Sequence, residues 1–167
     1  SKVREKAARA ISRFGKAHNT NQQALAEAGG VELLVSLIDP RFFDAPLPGS
    51  KEELAMQEQD ELEDKLAEQG TTTKHQYIHK ELASAIWSAT FECSANQKIV
   101  AEHGGLSLLI ELLRDHPYIH RDAAGALWSL AADVDNRKLI AENGGIPHLV
   151  EILKTGKKNF AQETAAG

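Results

Sequence analysis

Cys93 is the only cysteine among 167 residues. A single thiol excludes an internal disulfide framework and a cysteine-cluster zinc site, and it suits a reducing intracellular, cytoplasmic setting, with nucleus or cilium left open. Aromatic residues make up 5% of the chain against 42% apolar residues overall. The core must therefore be built from aliphatic side chains and alanine, which suits close-packed helices better than a β-sandwich. No run of roughly 18 apolar residues occurs, so no transmembrane helix is expected. The charged start, Ser1-Lys2-Val3-Arg4-Glu5-Lys6, lacks the apolar stretch of a signal peptide. Positive charge is short as well. The net charge is −5, whereas nucleic-acid binding calls for a dominant basic field.

The negative charge is concentrated. Residues 39–76 hold ten acids (Asp39, Asp44, Glu52, Glu53, Glu58, Asp60, Glu61, Glu63, Asp64, Glu68) against four bases (Arg41, Lys51, Lys65, Lys74). That segment carries −6 and leaves +1 for the rest of the chain. Its first part, Asp39 to Gly49, contains Pro40, Pro46 and Pro48 and is not regular helix. Its second part opens on a capping box, Ser50 with Glu53, and predicts an acidic helix over 51–69 that stops at Gly70. Leu54, Leu62 and Leu66 are sparse support for it.

The chain also repeats itself. Asn21 precedes Gly29-Gly30, Asn96 precedes Gly104-Gly105 and Asn136 precedes Gly144-Gly145, each by eight residues. Tyr77-Ile78-His79-Lys80-Glu81 to Trp87-Ser88 matches Tyr118-Ile119-His120-Arg121-Asp122 to Trp128-Ser129 at an offset of 41 residues, and the last two glycine pairs lie 40 apart. A looser first copy runs from Val3 to Ile11. A fixed period of this size signals a solenoid. Each unit reads as three helices. The asparagines are expected as N-caps of a short first helix, such as Arg137 to Asn143. The glycine pair turns the chain into a second helix with apolar residues at Ile146, Leu149, Val150, Ile152 and Leu153. The third helix begins near Tyr118 and carries the stripe Ala123, Ala126, Leu127 and Leu130. Relative to the complete unit, about 34 extra residues separate the second and third helices of the first unit, and these are the acidic insertion.

The stretches Asn136-Arg137-Lys138-Leu139-Ile140-Ala141-Glu142-Asn143-Gly144-Gly145-Ile146-Pro147-His148-Leu149-Val150 and Ala123-Ala124-Gly125-Ala126-Leu127-Trp128-Ser129-Leu130-Ala131 strongly resemble the armadillo repeat. The resemblance covers roughly 1–38 and 77–167. It implies an all-α, right-handed superhelical solenoid of three-helix repeats whose third helices line a concave groove. On that reading, 1–18 end a preceding repeat, 19–94 form a repeat with the insertion at 39–76, 95–135 form a second, and 136–167 a truncated third. Neither end carries a polar cap, so the chain reads as part of a longer array.

The expected groove positions are Lys6, Arg9, Arg13 and Lys16 in the first third-helix. The next supplies Glu81, Ser84, Trp87 and Ser88, and the one after it Asp122, Gly125, Trp128 and Ser129. Each tryptophan is either packing between units or a ligand anchor. The insertion reads first as a solvated, partly disordered loop; the alternative is that Phe42 and Phe43 dock on the body or on a partner and the acidic helix covers part of the groove. Importin-α-like armadillo proteins, which this chain resembles, grip basic peptides with a Trp and an Asn four residues on. Those places hold Ser84 and Gly125, and Ser88 and Ser129, while Arg9 and Arg13 would repel lysine. A basic peptide is therefore disfavoured and an acidic one is open.

Other constellations are weaker. His75 with His79, and His116 with His120, have helical spacing but no further ligands, so they read as structural repeats and no metal is expected. His120 and Asp122 do not face each other on a helix, which argues against a triad with Ser129. The glycine pairs lack the Lys-Ser/Thr of a phosphate loop. Cys93 reads as a small packing residue. The expectation is a non-enzymatic scaffold or adaptor that binds an extended peptide or partner protein, with no cofactor, nucleic acid or membrane span, and with contacts between copies possible at the uncapped ends. The alternative is the substrate-recognition segment of a larger enzyme such as a ubiquitin ligase, with nuclear transport third.

Overall fold

A computed structural model of the chain describes residues 2–16, 18–39, 74–115 and 117–154. Phe42, Phe43 and the acidic helix expected over 51–69 lie outside the described residues. The described elements are α1 (Lys2–Phe14), α2 (Asn19–Glu27), α3 (Gly30–Ile38), α4 (Lys74–Thr90), α5 (Ser94–Glu102) and α6 (Gly105–Asp115). A 3-10 turn (Pro117–Ile119) then leads into α7 (His120–Leu130) and α8 (Val134–Glu142), and a last helix, α9, covers 145–154. Among the described residues the protein is an all-α helical repeat. First helices α2, α5 and α8 precede second helices α3, α6 and α9, and the long third helices α1, α4 and α7 stack side by side, α1 on α4 and α4 on α7.

The alanine and leucine pattern explains the stack. Ala123, Ala126, Leu127 and Leu130 of α7 are all buried, as are Leu82, Ala83, Ala85, Ile86 and Ala89 of α4. Small residues bring the axes close, and the large aliphatics between them contribute about 1.5–3 kcal/mol each on full burial. The second helices cover the other side. Val31, Val35 and Ile38 of α3 and their counterparts Leu106, Ile110 and Leu113 of α6 are buried. In α9 the same three places, Ile146, Val150 and Leu153, are exposed among the described residues.

The two glycines of each pair do different work. Gly104 sits at φ +75° with open space beside it, a left-handed conformation that L-residues adopt only at a cost of about 1–2 kcal/mol. Gly105 has an ordinary φ, but a Cβ there would lie 2.6 Å from Val100 Cγ1. One glycine makes the turn, and the other lets α6 approach α5.

The asparagines are not N-caps. The residues preceding α2, α5 and α8 are His18, Cys93 and Asp133, and each asparagine stands third inside its helix. From there Asn96 and Asn136 turn inward and are buried. Asn96 Nδ2 donates to Ala89 O at 2.8 Å and to Gln22 O at 3.1 Å, and Asn136 Nδ2 donates to Leu130 O at 3.1 Å. Through Ala89 and Leu130 they satisfy carbonyls at the ends of the preceding third helices, which have no partner within those helices. The last first-helix accordingly runs from Val134 to Glu142, earlier than the expected Arg137–Asn143. Cys93, expected as packing, is half-buried at the turn before α5. Asp133 is a side-chain cap of α8: its Oδ1 accepts from the N–H groups of Asp135 at 2.9 Å and Asn136 at 3.1 Å. Asp133→Ala is expected to lower stability by about 1 kcal/mol, seen in thermal unfolding as a fall of about 2–4 °C; an unchanged midpoint would show that the cap contributes nothing.

Candidate functional site

The stacked third helices leave a groove of about 510 Å³ that crosses all three. Ser12, Arg13 and Lys16 form one end, and Arg121 and Asp122 of α7 form the other. Between them α4 supplies Lys80, Glu81, Ser84, Trp87, Ser88 and Phe91. Seven of the twelve expected helix positions thus meet in one groove: Arg13, Lys16, Glu81, Ser84, Trp87, Ser88 and Asp122.

The others do not join it in the expected way. Lys6 is exposed on α1 and does not line the groove. Arg9 is turned to its neighbours: its Nη2 donates to Glu81 Oε1 at 2.9 Å and to Glu5 Oε1 at 3.0 Å. Glu81 is largely shielded, Arg9 less so, so solvent screens the link, but it leaves Glu81 paired from outside the groove. Gly125 lies beneath Trp87: a Cβ there would come within 2.5 Å of the indole Cε3. Trp87 is half-buried across α7, and its ring forms part of the groove wall.

The recurring tryptophans therefore have different surroundings. Trp128 is 64% exposed. Its ring lies 5.8 Å from Phe91, tilted by 36°, within the range of a favourable aromatic pair. Trp128 and Ser129 line a second hollow of about 300 Å³ with Phe91, Glu92, Ala131 and Ala132.

Ser88 and Ser129, expected as open groove residues, are both buried and tie adjacent third helices together. Ser88 Oγ donates to Ser12 O at 2.8 Å, and the Ser129 and Thr90 hydroxyls share a hydrogen bond of 2.9 Å. The Ser129 hydroxyl is thus engaged with Thr90 of the neighbouring helix. His79 is buried and His120 half-buried; among the described residues no three His, Cys, Asp or Glu side chains are placed to share a metal.

Lys80 and Arg121 are groove residues that the sequence reading passed over. Both stand immediately before an expected groove acid, Glu81 and Asp122, at the 41-residue offset. That repeated base–acid pair was the available signal. Arg13, Lys16, Lys80 and Arg121 form no ion pair among the described residues.

Asp122 is 7% exposed, and its Oδ2 is buried without a hydrogen-bond partner. Burial holds its carboxyl above the ordinary value of 3.8; Lys80 and Arg121 pull it down, and Glu81 adds to the rise. A raised native pKa means that the folded state binds the proton more tightly than the unfolded chain. The stability from this group is present below about 3.8 and is lost as pH rises through the raised value. Asp122→Asn is thus expected to raise the melting temperature relative to the unaltered protein at neutral pH, with the gain shrinking towards pH 4. A gain that does not depend on pH would show that buried charge is not its source.

A model of the armadillo/beta-catenin-like repeat matches residues 93–132, the segment spanning α5, α6, the 3-10 turn and α7. No curated protein matches the chain. Among solved structures, a designed armadillo repeat protein in complex with the peptide (KR)4 is similar at 24% identity and a TM-score of 0.46, covering 89% of this chain and 67% of that one. An engineered protein is similar at 20% identity and 0.45, over 89% and 82%. Among the described residues, no helix is long and apolar enough to cross a membrane. The matched segment, residues 93–132, is one complete unit within a stack of like units, and that unit is an armadillo/beta-catenin-like repeat.

Proposed function

We propose that this chain is a protein–protein interaction module that takes an extended peptide or partner segment in the groove across α1, α4 and α7. The observation that carries the reading is the groove itself: an open trough lined by a half-buried tryptophan and by four cations that form no ion pair among the described residues. A rigid aromatic flanked by polar and charged groups is the usual composition of a binding hot spot. The buried hydrogen bonds of Ser88 and Ser129 hold the walls in register, so little ordering is left for the bound state.

Peptides selected from a displayed random library against the chain test this. Trp87→Ala is expected to weaken selected binders about thirtyfold, the effect of losing a hot spot worth about 2 kcal/mol, and Arg13→Glu is expected to weaken them too. Trp128→Ala is expected to leave them nearly unchanged. Binders indifferent to both Trp87→Ala and Arg13→Glu would place the binding surface elsewhere.

A further inference from the structure

We infer that the groove is polar along its length and takes an acidic peptide in one register, with a carboxylate side chain at Arg13 and Lys16 and a neutral amide donor at Asp122. This rests on the groove being the binding surface. Its two acids are in different states. Glu81 is paired with Arg9 at 2.9 Å, and Arg9 does not line the groove. At the α1 end this leaves Arg13 and Lys16 with no ion pair among the described residues. An arginine and a lysine side by side there favour an anionic side chain and repel a cationic one.

The α7 end asks for something different. Asp122 lines the groove, and its buried Oδ2 has no hydrogen-bond partner among the described residues. An unmet buried acceptor gains most from a ligand that brings an N–H, and it discriminates against one that does not. Lys80 and Arg121 already act on this carboxylate, so a third cation would be repelled, and a neutral carboxamide N–H is the donor that fits. Trp87 stands between the two ends, where the stem of an intervening residue would lie.

Fluorescence anisotropy with labelled octapeptides tests this. Alternating Glu-Asn is expected to bind tightest, Glu-Ala about tenfold more weakly, and Lys-Asn about a hundredfold more weakly. Arg13→Glu/Lys16→Glu should remove the preference for Glu-Asn over Lys-Asn and keep that for Glu-Asn over Glu-Ala. Asp122→Ala should do the reverse. Each variant thus reports its own folding through the preference it retains. Lys-Asn binding as well as Glu-Asn, or either preference surviving the variant meant to remove it, would overturn the assignment. An octapeptide with phosphoserine in place of Glu binding more than tenfold tighter would overturn the carboxylate. Failure of every octapeptide to bind would instead defeat the groove as a peptide site.

Discussion

Gly125→Val is expected to destabilise the protein by about 3 kcal/mol, the upper part of the range for overpacking a filled site, and to lower the melting temperature by about 6–12 °C. The first added carbon alone would come within 2.5–2.7 Å of three atoms of the Trp87 ring, closer than carbon atoms approach. The ring could yield only by moving out into the groove that it walls, which would give up its packing on α7. Helix propensity works against the effect, since valine is a few tenths of a kcal/mol better than glycine in a helix interior, but that is too small to reverse the sign. Gly125→Ala adds less bulk and gains about 1 kcal/mol of propensity, so its net loss should be smaller. A double-mutant cycle isolates the cause. With Trp87→Ala already in place, Gly125→Val should cost little, because nothing remains to displace. A penalty that persists without the indole would mean that the methyls collide elsewhere. Since Trp87 walls the groove, Gly125→Val should also weaken any groove ligand, joining a packing residue to function.

The same pair shows how far the sequence could be read. The glycine pairs and the alanine–leucine stripe of α7 disclose the units because backbone conformation and close helix approach depend on residue type at fixed spacing. The recurring Trp87 and Trp128 look equivalent for the same reason. Their environments differ because each is made by a neighbouring element: Gly125 lies beneath Trp87, while Trp128 rests beside Phe91 and is otherwise open. Ser88 and Ser129 sit where open groove positions were expected, yet their hydroxyls are drawn into the joints between third helices. The missing partner of Asp122 Oδ2 is likewise a property of three packed helices and has no local pattern. The asparagines were visible but misplaced in role. Capping and inward hydrogen bonding both favour a short amide near a helix start, and only the register of α5 and α8 separates them.

Asn96 is where that distinction has its largest consequence. Asn96→Ala is expected to lower stability by about 2–4 kcal/mol, because it leaves the buried Ala89 carbonyl unmet at about 1–3 kcal/mol, removes a second donor from the Gln22 carbonyl, and opens a small cavity. The carbonyls belong to Ala89 in α4 and Gln22 in α2, while Asn96 stands in α5. One amide thus joins two successive units, and its loss should open the stack at that joint, with hydrogen exchange accelerating in α4 and α5 before α7. An N-cap role would predict only about 1 kcal/mol and local fraying of α5. Asn96→Asp separates the two further. An acid at an N-cap would be tolerated or favoured by the helix dipole, but here the introduced carboxylate would face two carbonyl oxygens in the interior. Desolvation and the lack of donors would raise its pKa in the folded state, so the protein should weaken as pH rises from about 4 and recover part of its stability when acidified. An Asn96→Asp protein that melts like the unaltered one at neutral pH would return Asn96 to a capping role.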